Sequence, residues 1–139
     1  MKTYVDTSVL LRKLLGEPNA LRRWNAIETA LSSELIVVEA LRTIDRARIR
    51  LRLSDEEVAN HRATILETVN GFNLAELNRT VLDRASQPFP TMLRTLDAIH
   101  LATALLLREA IEDLIFATHD SPLAIAAQSV GFRVIGHSA

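Results

Sequence analysis

The chain contains no cysteine, which excludes disulfides, zinc thiolate sites and thiol nucleophiles and suits a reducing compartment. It lacks an apolar stretch of signal length at its start and any run long enough to span a bilayer, so the expectation is a cytoplasmic protein without a membrane segment. Nor is there an excess of positive charge. Lys and Arg number 16 against 17 Asp and Glu, a formal net charge of −1, which argues against a protein that coats nucleic acid through bulk charge, because non-specific affinity comes from phosphate neutralisation. Repeats, linkers and low-complexity segments are also missing. What remains is 139 residues, 48% of them apolar. That is enough for one domain with a proper core and too short for two, so residues 1–139 are read as a single domain.

The order of elements is an alternation of strand and helix signals. Tyr4 and Val5 end a short strand leading into Asp6; Thr7 or Ser8 can then cap a helix carrying Val9, Leu10, Leu11, Leu14 and Leu15, which Gly16 stops. Pro18 suits the start of a second helix, with Leu21, Trp24, Ile27 and Leu31 at helical spacing. The apolar run from Glu34 to Val38 reads as a second strand, and Glu39 opens the next helix. Arg42, Arg46 and Arg50 recur on one face of that helix and read as a solvated surface ahead of a phosphate-contacting stripe. Ser54 and Glu57 frame a capping box for a helix through Val58, Ile65, Leu66 and Val69 to Gly71, giving an αα-hairpin.

Phe72 to Leu74 alternates as a strand, Asn78 caps a short helix to Ala85, and the segment with Pro88 and Pro90 is a loop. Thr95 can cap a helix from Leu96 to Ala110 that is apolar nearly all round and therefore central. A strand from Leu114 to Ala117, a helix from Ser121 and Pro122 to Ser129, a stop at Gly131 and a strand from Phe132 to Ile135 complete the pattern. The expected architecture is α/β, a three-layer α/β/α sandwich around a mainly parallel sheet of four to five strands.

Four acids, Asp6, Glu39, Asp97 and Asp120, lie beside different apolar segments where strands and helices meet. A parallel sheet gathers such residues in the crevice beyond the carboxyl ends of its strands. Carboxylates converging there repel one another unless a hard cation such as Mg²⁺ or Mn²⁺ offsets the charge. Glu34 competes with Glu39; Glu39 is preferred because it follows the apolar run, whereas Glu34 falls near the start of the expected strand, away from the crevice. Each acid also has an ordinary reading, as a helix cap (Asp6, Asp120), a helix-dipole partner (Asp97) or a salt-bridge partner for Arg42 or Arg46 (Glu39). His100, three residues after Asp97, is read as a hydrogen-bonded packing residue and left out of the site. Trp24 is read as core, or as the wall of a groove for a partner helix.

The segments VDTSVL, SSELIVVEALR, LDAIHLATAL and FATHDSPLAIAAQSVGFRVI, taken in that order, resemble PIN domains, and most closely the ribonuclease toxins of VapBC-type toxin–antitoxin pairs. The resemblance implies a metal-dependent endoribonuclease that leaves a 5′-phosphate and a 3′-hydroxyl. Asp6 and Asp97 would hold the main Mg²⁺ or Mn²⁺ directly, Asp120 would complete that shell or a second one, and Glu39 would act through water or orient the nucleophile. Ser8 and Thr118 would be hydrogen-bonding hydroxyls beside the site, and His119 departs from the aromatic residue common at its position. A transfer or ribosomal RNA substrate, a homodimer and a cognate antitoxin are implied as well. Two other readings stand beside this one. The first is a PIN-like module that binds RNA or protein without catalysis. The second, a phosphatase with an aspartyl nucleophile at Asp6, is disfavoured because Ser8 stands where a second Asp would act as acid and base.

Overall fold

Parallel pairing of the first strand with two neighbours organises the molecule. In the computed structural model, which describes residues 1–137, β1 (Lys2–Val5) pairs with β2 (Thr29–Ser33) on one side and with β4 (Ile115–Ala117) on the other. β3 (Asn73–Ala75) and β5 (Val134–Ile135) form the edges, giving a five-stranded, all-parallel sheet in the order β3-β2-β1-β4-β5. The chain winds outward from β1 to β3 and then restarts on the other side, so the order reverses between β1 and β4. In open α/β sheets that switch point opens the ligand crevice.

Side chains alternate across the sheet and feed two cores. Val5 and Ala117 point to a cluster with Val9 and Leu10 of α1 (Thr7–Leu14), Ile36, Ala40 and Ile44 of α2 (Leu35–Arg50), and Val58, Ile65 and Val69 of α3 (Asp55–Asn70). Tyr4, Leu31 and Phe116 point the other way, toward Leu101 and Ala104 of α5 (Thr95–Arg108) and Leu123, Ala126 and Ala127 of α6 (Ser121–Ser129). A smaller cluster joins Val81 of α4 (Arg79–Ala85) to Ile99 and Ala102 of α5. The result is the expected three-layer sandwich. The positions from Ala98 to Ala104 on α5 are all buried, which fits its nearly continuous apolar character.

Two segments depart from the sequence reading. Leu21, Trp24, Ile27 and Leu31 do not share a helix: only Trp24–Ala26 forms a 3₁₀ turn, and Leu31 belongs to β2. Helical spacing there is overridden by the pairing of residues 29–31 with β1. Leu21 is buried, and Trp24 and Ile27 pack against the first core cluster, as core residues do.

The run from Glu34 to Val38 is helix, not strand, because Ile36, Ala40, Ile44 and Ala47 recur at helical spacing and carry the buried face of α2 back through it. Its strand is instead the polar-looking TALSS, whose last serines have local partners: Ser32 Oγ donates to the Val5 carbonyl at 2.7 Å, and Ser33 Oγ accepts from the Leu35 amide at 3.1 Å. Glu39 therefore lies in the second turn of α2 instead of opening it. Thr95 is the first residue of α5, and Arg94 occupies the cap position without a side-chain cap bond.

Arg42, Arg46 and Arg50 are exposed, and Arg42 pairs with Asp45 at 3.4 Å. Among the described residues no helix is long and apolar enough to cross a membrane.

The capping box forms as expected. Ser54 Oγ accepts from the Glu57 amide and Glu57 Oε1 accepts from the Ser54 amide, both at 3.1 Å. Ser54→Ala should cost about 1 kcal/mol of stability, measured by denaturant unfolding, and should leave the cleft described below untouched.

Candidate active site

Residues just beyond β1 and β4 meet at the switch point. Asp6 follows β1, its amide bonds to the Ala117 carbonyl at 3.0 Å, and it is only 5% exposed. It stands at the cap position of α1 without making a side-chain cap bond, so capping does not account for it. Its Oδ2 instead accepts from the Ser8 hydroxyl at 2.7 Å and the Thr118 hydroxyl at 2.8 Å. Each hydroxyl is itself fixed by an amide of the loop after β4: His119 N donates to Ser8 Oγ and Asp120 N to Thr118 Oγ1, both at 3.0 Å. The sequence-expected pair of hydroxyls thus converges on one oxygen of one acid, while Oδ1 lies 3.9 Å from His100 Nε2.

A cleft of about 710 Å³ is lined by Glu39, Asp97 and Asp120 together with Met92, Arg94, Leu96 and Pro122. Asp120 does cap α6, through Oδ2 and the Leu123 amide at 3.0 Å. That ordinary role uses one oxygen, and the other forms no hydrogen bond among the described residues. Asp97 sits in the first turn of α5, where the helix dipole favours an anion. Burial, the charges of Asp120 and Asp6 and, to a lesser degree, that of Glu39 nevertheless push its carboxyl up to about 6, against an opposing pull from His100. Glu34 is placed elsewhere. It precedes α2, and its Oε1 accepts from the Leu77 amide at 2.9 Å, fastening the loop after β3.

Glu39 holds the feature that sequence reasoning missed. Its Oε1 accepts from the Thr7 hydroxyl at 2.8 Å and lies 2.5 Å from His100 Nε2. His100 is fully buried, and its other ring nitrogen, Nδ1, is 2.7 Å from the Tyr4 hydroxyl. Burial alone would lower the His100 pKa; the hydrogen bond to Glu39 and the charges of Asp6, Glu39 and Asp97 outweigh it and raise the pKa above the ordinary value. Spacing puts His100 on the same side of α5 as Asp97, but it carries no signal for Tyr4 and Glu39, which lie 96 and 61 residues away. His119, by contrast, turns away: its Nδ1 donates to the Gly136 carbonyl at 2.6 Å, and burial lowers its pKa.

The donor set is all carboxylate oxygen, which suits a hard divalent cation, and a cation would offset both the burial and the like charges that raise the Asp97 pKa. Among the described residues, however, no three of the Asp, Glu and His side chains are grouped to hold one ion. The fit therefore lies in donor type and charge around a shared cleft, not in a closed cage.

The chain is similar to known proteins. The PIN-domain family profile matches residues 3–127. Ribonuclease VapC47 of Mycobacterium tuberculosis (strain CDC 1551 / Oshkosh) is 32% identical over 136 residues, covering 93% of this chain and 92% of that protein. Ribonuclease VapC46 of M. tuberculosis (strain ATCC 25618 / H37Rv) is 32% identical over 138 residues, 97% of each chain. Among solved structures, a toxin-antitoxin complex from Klebsiella pneumoniae superposes with a TM-score of 0.68 at 17% identity, covering 99% of this chain and all of that one. PAE2754 from Pyrobaculum aerophilum gives 0.54 at 18% identity over 96% and 83% of the two chains. These structures share the fold, while the family rests on the sequence matches: the chain belongs to the PIN-domain family, among the VapC ribonucleases.

Proposed function

We propose that this chain is the toxin of a type II toxin–antitoxin pair, a cytoplasmic Mg²⁺- or Mn²⁺-dependent endoribonuclease held inactive by a cognate antitoxin. The observation that carries this reading is a cleft lined by Glu39, Asp97 and Asp120 at the sheet's switch point, with the Asp6 carboxylate near enough to raise the Asp97 pKa, in a chain similar over its length to two proteins named ribonucleases.

A bound divalent cation supplies acidified water and charge neutralisation at a scissile phosphate. Asp6 Oδ1 and Asp97 would hold it, with the other oxygen of Asp120 beside them. Glu39 would orient water through its second oxygen. Ser8 and Thr118 keep the Asp6 carboxylate from rotating, since both hydroxyls bind its Oδ2. Arg94, at the cleft lip, would take an RNA phosphate flanking the cut, because a guanidinium pairs with phosphate oxygens. A homodimer and a structured transfer or ribosomal RNA substrate complete the proposal.

A PIN-like module that binds RNA or protein without cutting is the second reading, and one observation favours it: the lack, among the described residues, of three donors grouped for one ion.

Incubating total RNA with the purified protein separates the two. Discrete cuts should need Mg²⁺ or Mn²⁺, vanish with chelator, return on adding metal back, and fall at least about 100-fold in Asp97→Ala. Metal-independent cutting, or cutting retained by Asp97→Ala, sinks the nuclease reading; no cuts with either metal by folded, antitoxin-free protein favours the binding module.

Stability should move the opposite way. Asp97 binds a proton more tightly when folded than when unfolded, so its carboxyl lowers the stability of the cation-free protein as pH rises from 3.8 through about 6. Asp97→Asn removes that penalty and should stabilise the cation-free protein at pH 7, by about 1 kcal/mol after solvent screening, read from thermal unfolding with chelator present.

A further inference from the structure

Seven consecutive buried positions on α5 run from Ala98 to Ala104, and His100 is the one ring among them. A buried imidazole with both nitrogens engaged costs more to desolvate than an apolar side chain of similar volume, so filling space does not explain it. Its partners do. Tyr4 on the central strand meets Nδ1 at 2.7 Å, and Glu39 on α2 meets Nε2 at 2.5 Å. The Tyr4 ring is fixed in turn by stacking on Phe116, with ring centroids 5.2 Å apart and planes 12° apart.

A carboxylate only accepts hydrogen bonds, so Nε2 must carry the proton of the Glu39 contact. In the neutral ring that leaves Nδ1 to accept from the Tyr4 hydroxyl; in the charged ring Nδ1 donates to it. Nε2 donates to Glu39 in both states. Thr7 donates to the same oxygen at 2.8 Å, so Oε1 is held by two donors while Oε2 forms no hydrogen bond among the described residues. Rotation of the Glu39 carboxylate would break both bonds.

We propose that His100 is a positioning residue, anchored by Tyr4, that donates to Glu39 Oε1 and thereby fixes Glu39 with Oε2 presented to the cleft. The role rests on the reading of the cleft as a metal-dependent nuclease. His100 touches neither cation nor RNA; it acts chiefly through Glu39, its hydrogen-bond partner, as outer partners of ligating groups act on metal affinity, and its Nε2 also lies 3.9 Å from Asp6 Oδ1.

The test is calorimetric titration of the purified, antitoxin-free protein with Mn²⁺ alone, alongside melting temperatures, for the parent, His100→Leu, His100→Gln, Tyr4→Phe, Glu39→Gln and Asp97→Ala. Gln can reach Glu39 with an amide N–H and Leu cannot. Mn²⁺ affinity should fall about 10- to 100-fold in His100→Leu without a matching loss of melting temperature, return to within about threefold of the parent in His100→Gln, and fall by a smaller factor in Tyr4→Phe. A folded His100→Leu that binds Mn²⁺ like the parent, while Glu39→Gln binds it weakly, overturns the role. A His100→Gln variant as weak as His100→Leu overturns the donor argument. Should His100→Leu fail to fold, Tyr4→Phe decides: weaker Mn²⁺ binding by the folded variant supports the anchor, and parental binding overturns it. Failure of the underlying nuclease reading looks different, because the parent, Glu39→Gln and Asp97→Ala would then all show the same absence of Mn²⁺ binding, and the positioning role falls with it.

Discussion

Keeping the Asp6 carboxylate almost entirely out of water is the constraint around which the structure is built. A buried, unpartnered carboxylate costs several kcal/mol, so every element near it is arranged to supply donors. Ser8 comes from α1 and Thr118 from the loop after β4, and that loop can deliver its hydroxyl only because β4 lies directly against β1. The strand order and the anchoring of one side chain are the same fact seen at two scales. Asp6 and Glu39 are each held by two donors, whereas Asp120 is tied by a single cap bond and the Asp97 carboxyl is raised by burial and by the like charges around it.

Helix α5 carries two duties that conflict. Its body must be apolar to fill the space between the sheet and α4, yet its first turns bring Asp97 and His100 to the cleft. The conflict is resolved by position. Asp97 lies at the helix start, where solvent and the dipole reach it, while His100, one turn in, has both ring nitrogens matched by Tyr4 and Glu39. Arg94 and the exposed Met92 and Leu96 leave the mouth of the cleft with a mixed cationic and apolar lip.

Much of this was legible in residue order. The layered α/β architecture, the α2–α3 hairpin with its Ser54 capping box, and the strand, acid and helix ending through Asp120 follow from periodicity and cap chemistry. The second strand did not, because TALSS has weak strand propensity and is a strand only by pairing with β1, whereas ELIVV has strong propensity and is helix because Ile36 lines up with Ala40 and Ile44. Glu39 lines the cleft and Glu34 does not, but not for the expected geometric reason: both lie after β2, and Glu34 is occupied by the Leu77 amide. His100 was read as a hydrogen-bonded packing residue, which it is, but its partners, Tyr4 and Glu39, lie 96 and 61 residues away in sequence and could not be named. No local pattern encodes such contacts.

Those separations also set a clock. Asp6 leaves the ribosome early in synthesis, but the Thr118 hydroxyl that steadies it is made 112 residues later, and β1 lacks one of its two flanking strands until β4 emerges. Long-range parallel pairing is slow and forms late in folding. The nascent chain thus carries its acids separately through most of translation, and the cleft assembles only once both halves of the sheet exist.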